Sequence, residues 1–162
     1  MKLEIERKFL LKSMPDIKPT EVIKIEQYYL KNSSGIWERA RSWSSNIDDI
    51  KYIHTVKKSI SKGVNLEDEY FMSEEQFNQF KKNCFESKES KFLSKERWIY
   101  PDGDFVWEVD KFINDHYIII AEIEIPTKRF KIDIPNFIAD KLLLEVTDFK
   151  QFSNRSLSNK IN

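Results

Sequence analysis

The chain has 162 residues, with 27 Lys or Arg against 27 Asp or Glu, so its formal net charge is zero. That balance argues against nucleic-acid and anionic-membrane partners, which select for a basic excess. The 12 Phe and 4 Trp exclude a disordered chain, three Gly leave no glycine-rich phosphate loop, and the lone Cys84 excludes an internal disulfide or a cysteine zinc site.

No signal-peptide pattern and no membrane-length apolar run occur in the sequence. The expectation is therefore a cytoplasmic protein of one domain, 1–162. The opening stretch, residues 3–11, alternates with period two. Leu3, Ile5, Arg7, Phe9 and Leu11 share one side, and Glu4, Glu6 and Lys8 share the other. Side chains two apart in a strand stand roughly 6.6 Å apart, so two carboxylates and an ammonium form a short row. Carboxylates are hard ligands for Mg²⁺ or Mn²⁺, and an ammonium suits a phosphate oxygen. The same row also fits a solvent face of mixed charge.

Residues 13–20 hold Pro15 and Pro19 and predict a loop. Strands are expected over 22–30, 36–43, 52–58 and 66–72, with a turn at 32–35. Ser73 and Gln76 have capping-box spacing, and Phe77, Phe80 and Cys84 then fall on one helix face. Cys84 is best placed there as a buried apolar filler. Residues 91–100 and 104–112 form a hairpin around Pro101-Asp102-Gly103, and a further strand covers 117–125. Short helices are expected over 135–144 and 149–157.

Charge recurs in these strands as alternating pairs of one sign. Acidic pairs are Glu4/Glu6, Glu67/Glu69, Glu108/Asp110 and Glu122/Glu124; basic pairs are Arg39/Arg41 and Lys95/Arg97, with Lys57 between. Like charges at i and i+2 repel, so an ordinary solvent face mixes signs. Ile119, Ala121, Ile123 and Ile125 need a dry partner, which covering helices outside a barrel would supply, turning the acids inward. An ordinary sandwich with outward acids fits the same pattern.

Several motifs lie together in order along most of the chain. Glu4-Ile5-Glu6-Arg7-Lys8-Phe9 resembles the Glu-x-Glu-x-Lys signature of the triphosphate tunnel metalloenzymes, or CYTH superfamily. Gln27-Tyr28-Tyr29-Leu30, Arg39-Ala40-Arg41, Thr55-Val56-Lys57 and Glu67-Asp68-Glu69-Tyr70 resemble successive strands of that family. So do Lys95-Glu96-Arg97-Trp98, Trp107-Glu108-Val109-Asp110, Ala121-Glu122-Ile123-Glu124 and Glu145-Val146-Thr147, with Asn154 near the end. The chain is most similar to the short, single-domain bacterial members.

The resemblance implies a mainly β, α+β fold: a closed tunnel of eight antiparallel strands with a few short covering helices. It implies hydrolysis of a triphosphate, inorganic tripolyphosphate first, with thiamine triphosphate, nucleoside triphosphates, ATP cyclisation or catalytically idle polyphosphate binding as alternatives. It implies one or two Mg²⁺ or Mn²⁺ ions, with Glu4, Glu6, Glu124 and Glu145 as leading ligands and Glu122, Glu108 and Asp110 next. Lys8, Arg39, Arg41, Lys57, Lys95 and Arg97 would bind phosphate, and Tyr29 with Lys95 would help protonate the leaving group. Glu67 and Glu69 would hold the arginines. A small-molecule triphosphate is the expected partner, and the protein a monomer or homodimer.

The chain departs from the family pattern at three positions. Tyr28 and Lys58 replace glycines and would crowd a tunnel mouth, and Leu144 replaces a lysine. His54 and His116 are expected to be exposed. Trp37, Trp43, Trp98 and Trp107 are expected in the core or barrel cover rather than as a stacking platform.

Overall fold

The computed structural model describes residues 1–114 and 117–161. Its strands are β1 (Lys2–Leu11), β2 (Glu21–Lys31), β3 (Trp37–Ser45), β4 (Lys51–Ser61), β5 (Val64–Met72), β6 (Ser90–Asp102), β7 (Phe105–Phe112), β8 (Ile119–Glu124), β9 (Leu142–Glu145) and β10 (Asn159–Lys160). Helices α1 (Glu74–Glu86), α2 (Asn136–Ala139) and α3 (Asn154–Leu157) lie between them, with a 3₁₀ turn at Lys150–Phe152. No described helix is long and apolar enough to cross a membrane.

Eight strands pair in the order β6-β2-β3-β4-β5-β1-β8-β7, and β7 returns to β6. Each of these pairings is antiparallel. The closed eight-stranded barrel expected from the motifs is therefore the architecture. β9 and β10 are additions. β9 continues along the edge of β1 that β5 leaves at Ile5, pairing Phe9 with Glu145, and β10 flanks β6. The helix expected over 135–144 is accordingly short: α2 stops at Ala139 because 142–145 are drawn into the sheet. The helix expected over 149–157 is split by Ser153, which caps α3 by accepting from the Ser156 amide at 3.1 Å.

Directly paired residues share a face, so the register fixes which side chains enter the barrel. Glu6 opposes Glu124, Lys8 opposes Glu122, and Glu122 opposes Glu108. Arg39 opposes Thr55 and Tyr29, and Arg97 opposes Asp110. The alternate residues form the outer surface. There Phe9, Trp107, Ala121, Ile123 and Ile125 pack with Ile138 of α2. The isoleucine row of β8 thus finds its dry partner outside, and its acids turn inward.

Tyr28, Ala40, Phe77 and Cys84 form a second outer cluster under α1, and α1 begins with the predicted Ser73/Gln76 capping box. Tyr28 packs on Phe77 and Phe92 at 5.9 and 5.0 Å between ring centroids. It does not crowd the tunnel; strand alternation sends Tyr29 inward instead. Lys58 pairs with Leu66 on the outer face and is exposed, and Leu144 is also exposed.

A third cluster lies on the interior side, where Leu93, Phe112, Ile120 and Leu10 pack with Phe152 and Leu157. The C-terminal segment therefore plugs one end of the barrel with apolar contacts, and the charged residues occupy the rest.

The β4–β5 hairpin turns at Gly63, whose φ is +71°. A Cβ there would meet the Glu6 carbonyl oxygen at 2.9 Å and Thr147 Cγ2 at 3.0 Å, and Gly63 O accepts from the Glu6 amide at 3.0 Å. Only glycine combines that φ with such a close approach to β1. Gly63→Ala should cost about 1–3 kcal/mol, measured as a fall in the urea midpoint.

Candidate active site

Around the barrel wall the inward charges separate by sign. The arc β6-β2-β3-β4 contributes Lys95, Arg97, Arg39, Arg41 and Lys57, with Gln27 and Tyr29 between them. The arc β5-β1-β8-β7 contributes Glu67, Glu69, Glu4, Glu6, Glu122, Glu124, Glu108 and Asp110, with Lys8 among them and the exposed Lys2 at the rim beside Glu124. Between the arcs lies a cavity of about 450 Å³.

Arg39 and Arg41 are buried, and the Nε group of each has no hydrogen-bond partner. Arg39 Nη2 donates to Thr55 Oγ1 at 3.3 Å, and Arg41 Nη2 to Glu69 Oε2 at 2.9 Å. Burial, then repulsion from Arg39 and Arg97, pulls the Arg41 guanidinium down to about 9. Buried donors without acceptors are rare in folded proteins, and these two sit on the wall that faces the acids. Lys57 Nζ lies 2.7 Å from Glu4 Oε1 and 3.4 Å from Glu6 Oε1. Burial opposes its charge, but Glu6 and Glu4 reverse that and raise its pKa. Lys8 stands within the acidic arc, 3.6 Å from both Glu6 and Glu122.

Asp110 is fully buried and accepts from Arg97 Nε at 2.7 Å, Arg97 Nη2 at 2.9 Å and Lys95 Nζ at 2.7 Å. Burial opposes its ionisation, but Arg97 and Lys95 hold its carboxyl far below the usual range. Both oxygens are engaged, so the expectation of metal ligation meets a counter-ion already bound to two cations. Glu108 also pairs with Arg97. Glu145 lies apart from the other acids. It pairs in register with Phe9 on the outer side, where Arg7 Nε donates to it at 2.9 Å and Thr147 Oγ1 at 2.8 Å. The β9 extension, invisible to strand alternation in the first eight strands, puts it there.

Tyr29 and Lys95 both point inward, but they are not joined by a hydrogen bond. Tyr29 pairs with Lys91, while Lys95 pairs with Ile25, four residues along β2. Gln27 Nε2 donates to the Tyr29 hydroxyl at 3.3 Å, and Lys95 donates to Asn154 Oδ1 at 3.0 Å as well as to Asp110. Burial pulls the Lys95 ammonium down to about 8.

Two expectations are corrected on the surface. His54 is buried, 4.6 Å from the Tyr70 ring centroid and 3.2 Å from Glu38, because β4 turns it under α1. His116 lies outside the described residues. Among the tryptophans, Trp107 is core, but Trp43 lines the cavity together with Phe71 and Ile53. Glu21, Asp48 and Lys51 also line it and were not singled out from sequence. The odd-numbered alternation of β3 to β5, extended one row past the Arg-x-Arg and Glu-x-Glu motifs, would have found Trp43 and Phe71.

Crowded carboxylates leave a signature in Glu67. Burial and the Glu4 charge raise it to about 7 from 4.5. A carboxyl that holds its proton more tightly when folded stabilises fully below its unfolded pKa, and that contribution is lost as pH rises through the folded value. Glu67→Gln should therefore flatten the decline in stability between pH 4.5 and 7. It should also raise the urea midpoint of the metal-free protein above pH 7.

No protein-family model and no curated protein matches the sequence. Solved structures match its fold. The inorganic triphosphatase NE1496 aligns over 100% of this chain and 97% of its own, at 22% identity and a TM-score of 0.59. A putative adenylyl cyclase from Hippeastrum, HpAC1, described as having a dominant triphosphatase activity, aligns over 76% of this chain and 80% of its own, at 15% identity and 0.57. A putative adenylate cyclase from Bacillus halodurans aligns over 79% and 84%, at 14% identity and 0.52. The chain has the barrel fold of these structures.

Proposed function

We propose that the chain is a triphosphate tunnel metalloenzyme that hydrolyses linear triphosphates, with inorganic tripolyphosphate as the substrate its charged walls suffice to hold. The carrying observation is an imbalance. Among the described residues lining the cavity, nine are carboxylates and five are cations, and the two signs face each other. A net negative chamber repels a triphosphate, yet its basic arc carries buried donors that lack acceptors. Divalent cations on the acidic side reconcile the two. The donor set fits them: Glu4, Glu6, Glu122 and Glu124 offer only carboxylate oxygens, which suit Mg²⁺ or Mn²⁺. Among the described residues no group of three or more candidate ligands is already gathered around one point, and Mg²⁺ usually completes its shell from substrate phosphates and water. Bound there, such an ion supplies charge neutralisation and an acidified water.

The chain's own groups do the positioning. Arg39, Arg41 and Arg97 take phosphate oxygens, and Asp110 fixes Arg97 for that task. Lys57, kept protonated by Glu4 and Glu6, adds a positive charge between the arcs. Water attacks the terminal phosphorus, the phosphoanhydride bond breaks, and diphosphate leaves with a proton. Tyr29 is the proton donor of the expected pair: Gln27 donates to its oxygen, so that bond does not use the Tyr29 proton. Lys95 acts by holding Asp110 and Asn154.

Phosphate release from tripolyphosphate, ATP, thiamine triphosphate and pyrophosphate, with and without Mg²⁺ or Mn²⁺, tests the reading. Ion-dependent release from tripolyphosphate and none from pyrophosphate is expected. Tight tripolyphosphate binding without turnover under either ion would leave a binding module instead.

A further inference from the structure

At the plugged end of the barrel the basic arc continues beyond the chamber. Lys91 of β6 is one inward position past Leu93 of the apolar plug. The cross-strand row of Arg39 and Tyr29 runs on through Lys91 to Lys160 of β10. The next pair on the same face is Lys31 with Trp37. Lys91 and Lys160 are directly opposed, an arrangement that costs stability because like charges repel. α3 adds a fourth cation. The Trp37 ring centroid lies 5.5 Å from the Arg155 guanidinium, 5.8 Å from Lys91 Nζ and 6.0 Å from Lys31 Nζ. Burial, then repulsion from Arg155 and Lys160, lowers the Lys91 pKa. Among the described residues, Lys31 is the one of these four cations with a carboxylate partner, Glu89 at 3.2 Å. Lys91 Nζ donates to the Arg155 carbonyl oxygen at 3.3 Å. None of the five residues lines the chamber between the charged arcs. α3 divides the two places: Asn154 lines the chamber and accepts from Lys95 at 3.0 Å, while Arg155, next along, reaches Trp37.

We propose that Lys31, Lys91, Arg155 and Lys160, gathered around Trp37, form a second anion site at the plugged end, for a multiply charged phosphate oxyanion. An ammonium is a compact point charge and a guanidinium offers a planar fork; together they suit the oxygens of phosphate. The indole face attracts the heads of Lys31, Lys91 and Arg155, so the site is built before an anion arrives. A dianion between Lys91 and Lys160 turns their repulsion into attraction. On the triphosphatase reading such anions are the products of the chamber, but the chemistry of the site does not depend on that reading. The alternation of β3 puts Trp37 on the inner face, whereas Arg155 and Lys160 join it through the return of the C-terminal segment, which no spacing in the sequence encodes.

The test is titration calorimetry of the full chain with inorganic phosphate and with diphosphate, in EDTA at low ionic strength. Without a divalent ion the chamber carries more carboxylates than cations, so it repels both probes and the plugged end is read by itself. One anion per chain should bind. Lys91→Gln combined with Lys160→Gln, and Arg155→Gln alone, should each weaken binding at least about tenfold, as expected for loss of charge-assisted hydrogen bonds. Arg41→Gln, in the chamber wall, should leave it unchanged. Arg155 and Lys160 are exposed, so Arg155→Gln and Lys160→Gln should each keep the parent's unfolding temperature and give a readout even where Lys91→Gln disturbs the fold. The two probes separate orthophosphate from diphosphate as the occupant; binding of either, lost in these variants, supports the site. No binding of either anion to the parent overturns it, as does binding that the plugged-end variants leave intact or that Arg41→Gln abolishes. Absence of triphosphate hydrolysis would bear on the proposed function alone, because this titration needs no turnover.

Discussion

Glu4→Gln and Glu6→Gln should each lower tripolyphosphate hydrolysis by at least about 10²-fold, a loss typical of removing one preorganised electrostatic group. Both side chains line the cavity, and both lie within 3.4 Å of Lys57. Under the proposed function, neutralising either would remove a charged oxygen donor offered to a divalent ion. It also frees Lys57 from one of the two carboxylates that keep it protonated. The loss should appear in kcat/KM with the unfolding temperature little changed, because the acidic arc is crowded and losing one charge relieves repulsion. A second readout separates ligation from simple charge removal. The parent's unfolding temperature should rise with added Mn²⁺, and that rise should shrink in each variant. Full activity in both variants would remove these glutamates from the site.

Asp110→Ala should be the most destabilising single change in the barrel wall, by about 3–5 kcal/mol. Asp110 is fully buried, and Lys95 and Arg97 are 1% and 6% exposed. Truncating it strands two buried cations, whose separation from their partner costs far more than the net value of the intact pairs. For a chain of this length the unfolding temperature should fall on the order of 10 °C. The same carboxyl gives an acid dependence. Its folded pKa is depressed, so its contribution is present above the unfolded value and is lost as pH falls toward the folded one. The parent should therefore lose stability in acid, and Asp110→Ala should show a shallower acid limb in urea titrations. An unchanged midpoint would mean that Lys95 and Arg97 find other partners.

The two faces of each strand were legible in the sequence because strand alternation is a local rule; alternation alone fitted a sandwich as well, and the closed barrel came from the motif resemblance. Runs with period two, six of them carrying a like-charged pair on one side, give the inner face residue by residue, and the register aligns those faces. Tyr28 and Tyr29 divided as alternation requires. What lay outside that rule was nonlocal. Glu145 reads as one more acid until β9 attaches it to the outer side of β1 beside Arg7. The Lys95 and Arg97 bonds to both oxygens of Asp110 are equally nonlocal. His54 carries a polar label but lies on the alternate that α1 covers. The tryptophans carry no sign, and only their parity separates them: Trp43 alternates with Arg39 and Arg41 into the channel, while Trp107 alternates against Glu108 and Asp110 into the core.

The pairing of β1 also bears on how the barrel is made. Residues 2–5 find β5, which is complete once residue 72 is synthesised, but residues 6–11 pair with β8, which ends at Glu124. Such distant pairing makes closure the slow, late event of folding. During translation the first strand therefore waits with one edge bare while most of the chain leaves the ribosome. The seam that finally shuts is the one where Glu6 meets Glu124 and Lys8 meets Glu122. The last step of assembly thus sets one pair of carboxylates against each other beside one attractive Lys8–Glu122 pair. The side chains that resist this closure include Glu6 and Glu124, two of the carboxylates that the proposed function offers to a divalent cation.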